Sequence, residues 1–262
     1  MNSSATKAVQ VLNANGSSPF VLVCDHASNR IPDRYGDLGL SAIELVSHIA
    51  WDPGALAVTL ALSDALDAPV VHSTVSRLII DPNRVPEAPE AIWTLSEATH
   101  IAANENLDAA ERTRRVDEFH RPYHEAIEAL LDARRSDGRE TILVCVHSFT
   151  PVYLGVARPW PIGLIHGQDQ GFTAALRDAL LAEDAELNVG WNEPYSALTG
   201  VTYTLEHHGD ERGLPATMIE IRNDEILEPI GINLWAGRLA RALPAARVTL
   251  AAQPATARRT PA

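Results

Sequence analysis

Short apolar runs alternate with longer segments in which apolar residues recur at helical spacing. Runs of about four to eight apolar and β-branched residues are typical of buried strands. We predict strands over 20–25, 69–74, 77–81, 141–147, 161–165, 187–190, 201–205 and 217–222. We predict helices over 41–49, 53–66, 104–136 with a break near Pro122, 169–183 and 224–242. This alternation indicates an α/β protein with a largely parallel central sheet.

The length of 262 residues suits one domain spanning 1–262. The segments 1–12 and 245–262 are rich in Ala, Ser, Thr, Gln and Pro, so we expect flexible tails there. The long connection from Pro82 to about Asn104 contains several prolines, and we expect it to cover one edge of the sheet.

The net charge of −13 argues against partners that are nucleic acids or anionic membranes. Because the polar N-terminal segment lacks the apolar core of a signal peptide and no long apolar run follows, we expect a cytoplasmic protein. The oligomeric state stays open. Cys24 and Cys145 lie inside predicted strands, where we interpret them as small buried apolar residues.

Three of the apolar runs carry polar groups at or near their carboxyl ends. His26 and His147 end two of them, and Glu220 stands near the end of a third. Ligands collect at the carboxyl ends of strands in open α/β sheets, and imidazoles with a carboxylate are typical zinc ligands. We predict one zinc ion per chain, or another divalent ion, bound by His26, His147 and Asp52. The alternative for Asp52 is a helix N-cap followed by Pro53.

An arginine-rich segment around the predicted strand 77–81 supplies candidate anion-binding groups. Asn83 and Arg84 follow this strand, and arginine binds carboxylates through a planar fork, so we predict that they bind an acidic substrate. Arg77 precedes the strand and is predicted to stabilise a developing oxyanion. The alternative is a pair of structural salt bridges.

Glu220 lies in an apolar strand, where an unpaired carboxylate is costly. It either pairs with an arginine or opens onto the active site, where we predict a general base. Strand alternation places Arg222 on the same face, and we predict that Arg222 also binds the substrate. His124, four residues after His120 on a predicted helix, and His208 are further substrate-binding candidates, although a packing role is the alternative for His124.

Taken together, these segments resemble the N-formylglutamate amidohydrolase family. The matching pieces stand in the expected order between about residues 20 and 240: Cys24–Asn29, Ala50–Gly54, Ser76–Arg84, His120–His124, Val146–Phe149 and Met218–Asp224.

The resemblance implies a fold similar to that of zinc carboxypeptidases and aspartoacylases, a three-layer α/β/α sandwich with a mixed, mostly parallel sheet. It also implies zinc on His26 and His147, a catalytic Glu220 and a carboxylate-binding Asn83–Arg84 pair. Carboxypeptidases use a His-x-x-Glu motif, and Asn29 stands where that Glu would be. Asp52 is therefore our third ligand.

The expected function is hydrolysis of an N-acyl amino acid, with N-formylglutamate indicating the class of substrate. Two alternatives stay open. One is a catalytically silent protein that binds a small acidic ligand, and the other is a zinc-dependent esterase or carboxypeptidase.

Overall fold

A seven-stranded sheet forms the centre of the protein in the computed structural model, which describes residues 7–195 and 200–252. Two short two-stranded hairpins accompany it. The strands, in chain order, are β1 (Val9–Leu12), β2 (Phe20–Cys24), β3 (Val70–Ser73), β4 (Leu95–Ser96), β5 (Thr99–His100), β6 (Ile142–Phe149), β7 (Val152–Tyr153), β8 (Val156–Ala157), β9 (Ile162–Ile165), β10 (Val189–Trp191) and β11 (Ala216–Arg222).

The sheet is mixed and has the strand order β1-β3-β2-β6-β11-β9-β10. Strands β3, β2, β6 and β11 run parallel to one another. The edge strand β1 is antiparallel to β3, and the β9–β10 pair is antiparallel to β11. The carboxyl ends of β2, β6 and β11 therefore lie side by side at one edge.

Helices cover both faces of the sheet. Their bounds are α1 (Ala42–Val46), α2 (Ala55–Leu66), α3 (Ala109–Arg115), α4 (Arg121–Ser136), α5 (Gly171–Glu183), α6 (Tyr203–Leu205) and α7 (Pro229–Ala252). Two π-helical segments, Val116–His120 and Glu206–Asp210, continue α3 and α6. Single 3₁₀ turns occupy Asp33–Tyr35, Pro89–Ala91, Ala102–Asn104 and Asn223–Glu225.

Alternation along the buried strands divides the core between the two faces. Phe20 and Leu22 of β2 pack with α2, α5 and α7, whereas Val21 and Val23 pack with α4. Because successive side chains point to opposite faces, a strand that is apolar throughout needs a helical layer on each side. The predicted three-layer α/β/α fold with a mixed, mostly parallel sheet is confirmed.

Two predicted strands are wrong. The segment 77–81 begins with a turn, and its buried residues Leu78, Ile79 and Ile80 belong to a separate core cluster beside the sheet. An apolar run indicates that a segment is buried, but it does not show which element the segment packs against. The segment 201–205 enters α6, where Thr204 donates to Asp25 Oδ1 at 2.6 Å, so tertiary contacts override the β-propensity of its side chains.

Parts of the two segments in which we expected flexible tails form regular secondary structure in the described residues. Val9–Leu12 forms the edge strand β1, paired with β3. Helix α7 continues through Pro244 to Ala252, whereas we predicted its end at residue 242. Proline usually breaks a helix, but Leu243, Ala246 and Leu250 are buried in the main core, and this packing stabilises the C-terminal turns. None of the described helices is long and apolar enough to cross a membrane.

Candidate active site

Three neighbouring strands bring the predicted polar groups to one edge of the sheet. His26 follows β2 by two residues, while His147 and Glu220 stand near the ends of β6 and β11. These strands are adjacent and parallel, so their carboxyl ends converge. All three side chains are buried.

Asp52 joins the two histidines. Its Oδ2 atom lies 3.2 Å from His26 Nδ1 and 2.9 Å from His147 Nδ1. One potential ligand atom from each residue lies within 4.8 Å of the other two. The structure thus brings the three predicted metal ligands together in one buried group, His26, Asp52 and His147, which we call the candidate catalytic cluster.

The backbone around Asp52 fixes its position. Its amide donates to the His26 carbonyl at 2.9 Å, and Gly54 follows in a left-handed conformation with a φ of 83°. A Cβ at Gly54 would lie 2.4 Å from the Ile226 carbonyl oxygen, so only glycine fits. Gly54 itself is the N-cap of α2. The Asp52 side chain therefore does not serve the N-cap role we had considered as the alternative.

A second carboxylate contacts the Nε2 atom of each histidine. His26 Nε2 is 2.7 Å from Asp81 Oδ1, and His147 Nε2 is 2.8 Å from Asp25 Oδ2. Histidines that bind metal ions usually donate their other ring N–H to such a carboxylate, which fixes the tautomer. Neither aspartate was predicted from the sequence as part of the site, although Asp25 directly precedes His26 and Asp81 ends a buried run.

The hydrogen-bonding pattern of the cluster fits a cation. A carboxylate only accepts, so both Nε2 atoms donate and each neutral ring keeps its lone pair on Nδ1. The His147 lone pair then faces Asp52 Oδ2, which also has no proton to donate, and the His26 lone pair lies between Asp52 Oδ2 and Arg77 Nη1. A positive charge between these atoms removes the repulsion.

The pKa shifts of the cluster agree with this preference for positive charge. Burial lowers the pKa of His26, but the charges of Asp81 and Asp52 outweigh it and raise the pKa. The pKa of His147 is raised well above its usual value because its hydrogen bonds to Asp25 and Asp52 outweigh burial. A divalent ion in the same place would meet this preference for positive charge.

Glu220 lies beside this cluster. It is paired in register with His147 across β6 and β11 and is 4% exposed. Burial raises the pKa of Glu220 to about 7. Among the described residues, its Oε2 atom has no hydrogen-bond partner, which leaves a proton-accepting atom at the cavity.

Arg77 contacts the cluster from the side. Its Nη1 atom is 3.1 Å from both Asp52 Oδ1 and His26 Nδ1. Nε donates to the Ile49 carbonyl at 3.1 Å, and Nη2 donates to the His48 carbonyl. These bonds hold the guanidinium against the cluster, with part of it exposed to the cavity.

Asn83 and Arg84 also line the cavity, but their environments differ. The Asn83 amide donates to the Val201 carbonyl at 2.7 Å and accepts from the Thr204 amide at 3.0 Å. Asn83 therefore ties the segment 201–204 to this edge. Arg84 Nη1 donates to the Gly200 carbonyl at 2.8 Å, and Nε lies 3.6 Å from Asp81 Oδ2. The guanidinium lies over the Trp93 ring, and its Nη2 group is left for a ligand.

Three predicted substrate-binding residues do not line the cavity. Arg222 pairs with Asp224 at 2.7 Å and with Glu225 at 3.0 Å. His124 Nδ1 lies 2.8 Å from His208 Nε2 in a separate group of histidines. Burial lowers the pKa of His124 to about 3 and that of His208 to about 2.

The cavity has a volume of about 130 Å³. Besides the predicted residues, its walls include side chains that the sequence analysis did not single out: His48, Trp93, Glu97, Tyr153 and Tyr195. The proline-rich connection after Pro82 supplies Trp93 and Glu97, which agrees with its expected position over the edge of the sheet. The two cysteines do not line it; both are free and buried, and burial raises their pKa well above the usual value.

A buried imidazole–carboxylate cluster lies at the edge of the mixed α/β sheet, and the family of the chain identifies the class of protein as a hydrolase acting on amide bonds. The family model for N-formylglutamate amidohydrolase matches residues 18–227. The chain therefore belongs to the N-formylglutamate amidohydrolase family. The resemblance read from the sequence is confirmed.

Solved structures share this fold. The chain is 42% identical to the gene product Atu2144 from Agrobacterium tumefaciens, with a TM-score of 0.92 over 96% of this chain and 99% of that one. It is 21% identical to an N-formylglutamate amidohydrolase from Ralstonia eutropha JMP134, with a TM-score of 0.69 over 93% of this chain and 98% of that one. At that identity the second likeness concerns the fold alone. A comparison with curated proteins gives no significant match.

Proposed function

We propose that this protein is a zinc-dependent amidohydrolase that hydrolyses an N-acyl amino acid, and specifically an N-formyl amino acid with an acidic side chain such as N-formylglutamate. The observation that carries the proposal is the convergence of His26, Asp52 and His147 in one buried cluster, with Glu220 paired opposite His147. Membership of the family supports the same substrate class.

His26 and His147, through their Nδ1 atoms, and the Asp52 carboxylate would hold the ion. Imidazole nitrogens with one carboxylate suit zinc, and three protein ligands are typical of catalytic zinc sites. When bound, the ion lowers the pKa of a bound water toward ~7 and polarises the scissile carbonyl. Asp81 and Asp25 hold the two rings in the required tautomer.

Glu220 acts as the general base. Its carboxylate takes a proton from the attacking water and delivers it to the departing nitrogen, so that the amide becomes a free carboxylate and an amine. A pKa of about 7 suits both proton transfers, because near neutral pH the carboxylate accepts a proton and releases it again with similar ease.

Arg77 and Arg84 bind the negatively charged groups of the reaction and of the substrate. Arg77, held against the cluster by two backbone carbonyls, donates to the oxygen that becomes negative during attack on the carbonyl. Arg84 binds the substrate carboxylate at the other wall, and Asn83 orients the neighbouring backbone. In an acidic protein these guanidinium groups are the local attraction for an anionic substrate.

A substrate panel tests the proposal. Metal-depleted protein reloaded with zinc is assayed with N-formyl-, N-acetyl-, ester and dipeptide derivatives of glutamate, aspartate and leucine, and release of the free amine or acid is measured. We expect the fastest turnover with the N-formyl acidic compounds and loss of turnover on metal removal. Faster cleavage of the esters or dipeptides would contradict the substrate class, and full activity without metal would contradict the metal dependence.

A further inference from the structure

A second group of potential metal ligands lies outside the cavity. Glu128 of α4 and His207 and His208 of the π-helical segment Glu206–Asp210 each offer a ligand atom, and these atoms lie within 4.8 Å of one another. We call these three residues the π-helix cluster. None of them lines the catalytic cavity as the structure describes it.

A chain of hydrogen bonds sets the tautomer of His208. The Pro82 carbonyl can only accept, so His124 Nε2, 2.9 Å away, must donate to it. The neutral His124 ring therefore keeps its lone pair on Nδ1. That atom accepts from His208 Nε2 at 2.8 Å, so the neutral His208 ring keeps its lone pair on Nδ1.

The lone pair on His208 Nδ1 is buried without a partner. His208 is 0% exposed, and within the described part of the chain its Nδ1 atom makes no hydrogen bond. A buried polar atom without a partner destabilises the folded state. Because Nε2 is already engaged with His124, Nδ1 is the atom through which His208 can bind an ion.

The other two members of the cluster are more accessible. The side chains of His207 and Glu128 are 30% and 40% exposed, and their Nε2 and Oε1 atoms lie 3.2 Å apart. His207 Nδ1 is held by Glu211 Oε2 at 2.8 Å, the same carboxylate support that the catalytic histidines have. An ion can thus enter from solvent and meet a buried nitrogen.

We propose that Glu128, His207 and His208 form a second site for a divalent transition-metal ion of zinc's chemical class, separate from the candidate catalytic cluster. Two imidazoles and one carboxylate suit zinc, cobalt or nickel better than magnesium or calcium, which prefer oxygen ligands. The bound ion joins α4 to the segment that follows α6.

Metal counting tests this site. Chelator-treated protein is dialysed against zinc, then against metal-free buffer, and zinc per chain is measured by elemental analysis; cobalt loading adds visible absorption bands that report the coordination. We expect two ions per chain in the parent and one in His207→Ala. The matched control His100→Ala removes an exposed histidine that pairs with Glu105 at 2.8 Å and should keep both ions.

A second set of variants separates this site from the catalytic one. Glu128→Gln replaces a half-exposed carboxylate without changing its shape and should also lose one ion, while circular dichroism checks the fold of each variant. His147→Ala should lose the other ion. Equal zinc content in the parent, His207→Ala and Glu128→Gln would overturn the second site, and His207 would then only form hydrogen bonds with Glu128 and Glu211. Loss of zinc in His207→Ala but not in His147→Ala would support the second site and contradict the catalytic one.

Discussion

Glu220 and His147 lie side by side on the neighbouring parallel strands β11 and β6, with their Cα atoms paired in register. The two strands pair over seven consecutive residues, from Ala216 with Leu143 to Arg222 with Phe149. A shift of one residue in the pairing register would point the Glu220 side chain into the apolar core, where burial of its carboxylate would destabilise the fold. The ladder of the sheet therefore holds the proposed base beside the proposed metal ligand.

Replacing Glu220 by Gln should lower kcat by a factor of about 10²–10⁴, because the amide cannot accept the proton of the attacking water. Zinc content and the circular dichroism spectrum should be unchanged. The control Glu225→Gln alters a carboxylate that pairs with Arg222 away from the cavity and should leave kcat unaltered. Turnover of Glu220→Gln within a few-fold of the parent would assign proton transfer to another group.

The pH–rate profile gives a second measurement on Glu220. Burial raises its pKa, so the ionised form that acts as a base is lost as the pH falls through about 7. The parent should show an acidic limb in kcat, and this limb should disappear in Glu220→Gln. An identical limb in both proteins would belong to a different group.

Arg84→Lys should raise KM for an acidic N-formyl amino acid about tenfold with a smaller change in kcat. Lysine keeps the charge but loses the planar fork that binds a carboxylate through two hydrogen bonds. Arg222→Lys is the matched control, since Arg222 binds Asp224 and Glu225 outside the cavity. If KM changes equally in both variants, Arg84 does not bind the substrate carboxylate.

Asp25→Asn should weaken zinc binding at the candidate catalytic cluster about 10–100-fold. Asp25 accepts from His147 Nε2 at 2.8 Å and also from Tyr123 and Thr204. An amide cannot accept equally from all three, so His147 loses support for the tautomer that leaves Nδ1 free. Zinc affinity is measured by competition with a chromogenic chelator.

Tyr123→Phe provides the control for Asp25→Asn. It removes one donor to Asp25 and keeps both the carboxylate and its bond to His147. Zinc affinity should stay close to that of the parent. An equally large loss in Tyr123→Phe would mean that packing of α4, and not the Asp25 carboxylate, governs metal binding.

Asp67 should contribute stability that depends on pH. Hydrogen bonds from Asn13 and Ser17 lower its pKa to about 2. Because the unfolded chain then binds the proton more readily, this contribution is complete above about pH 4 and is lost as the pH falls through about 2. Asp67→Asn should lower the free energy of unfolding at pH 7, and the difference from the parent should shrink toward pH 2.

Chemical denaturation at a series of pH values measures this difference. Asp178→Asn makes the same change of charge at a side chain that is 67% exposed, and it should leave the free energy of unfolding nearly unchanged at every pH. A difference between Asp67→Asn and the parent that is constant from pH 7 to pH 2 would show that the carboxylate charge is not responsible.

The sequence by itself determined much of the sheet and the central part of the site. The apolar runs that end near His26, His147 and Glu220 become β2, β6 and β11, because side chains buried on both faces require uninterrupted apolar residues. Asp52 was also identified from the sequence, and the structure places it between the two histidines. The sequence pattern alone does not show that these side chains lie close together, because this depends on the three strands being neighbours in the sheet.

Tertiary structure decided which polar groups support the site. Asp25 and Asp81 reach the two histidines through contacts 122 and 55 residues apart along the chain, which no local pattern encodes. The run around Leu78 is as apolar as a strand but packs in a separate core cluster. His124 and His208, both predicted at the substrate, meet each other instead, because the side chain of a helix is directed by what that helix packs against. The local periodicity of the sequence indicates which positions are buried. Which polar atoms contact one another is decided only when elements distant along the chain pack together.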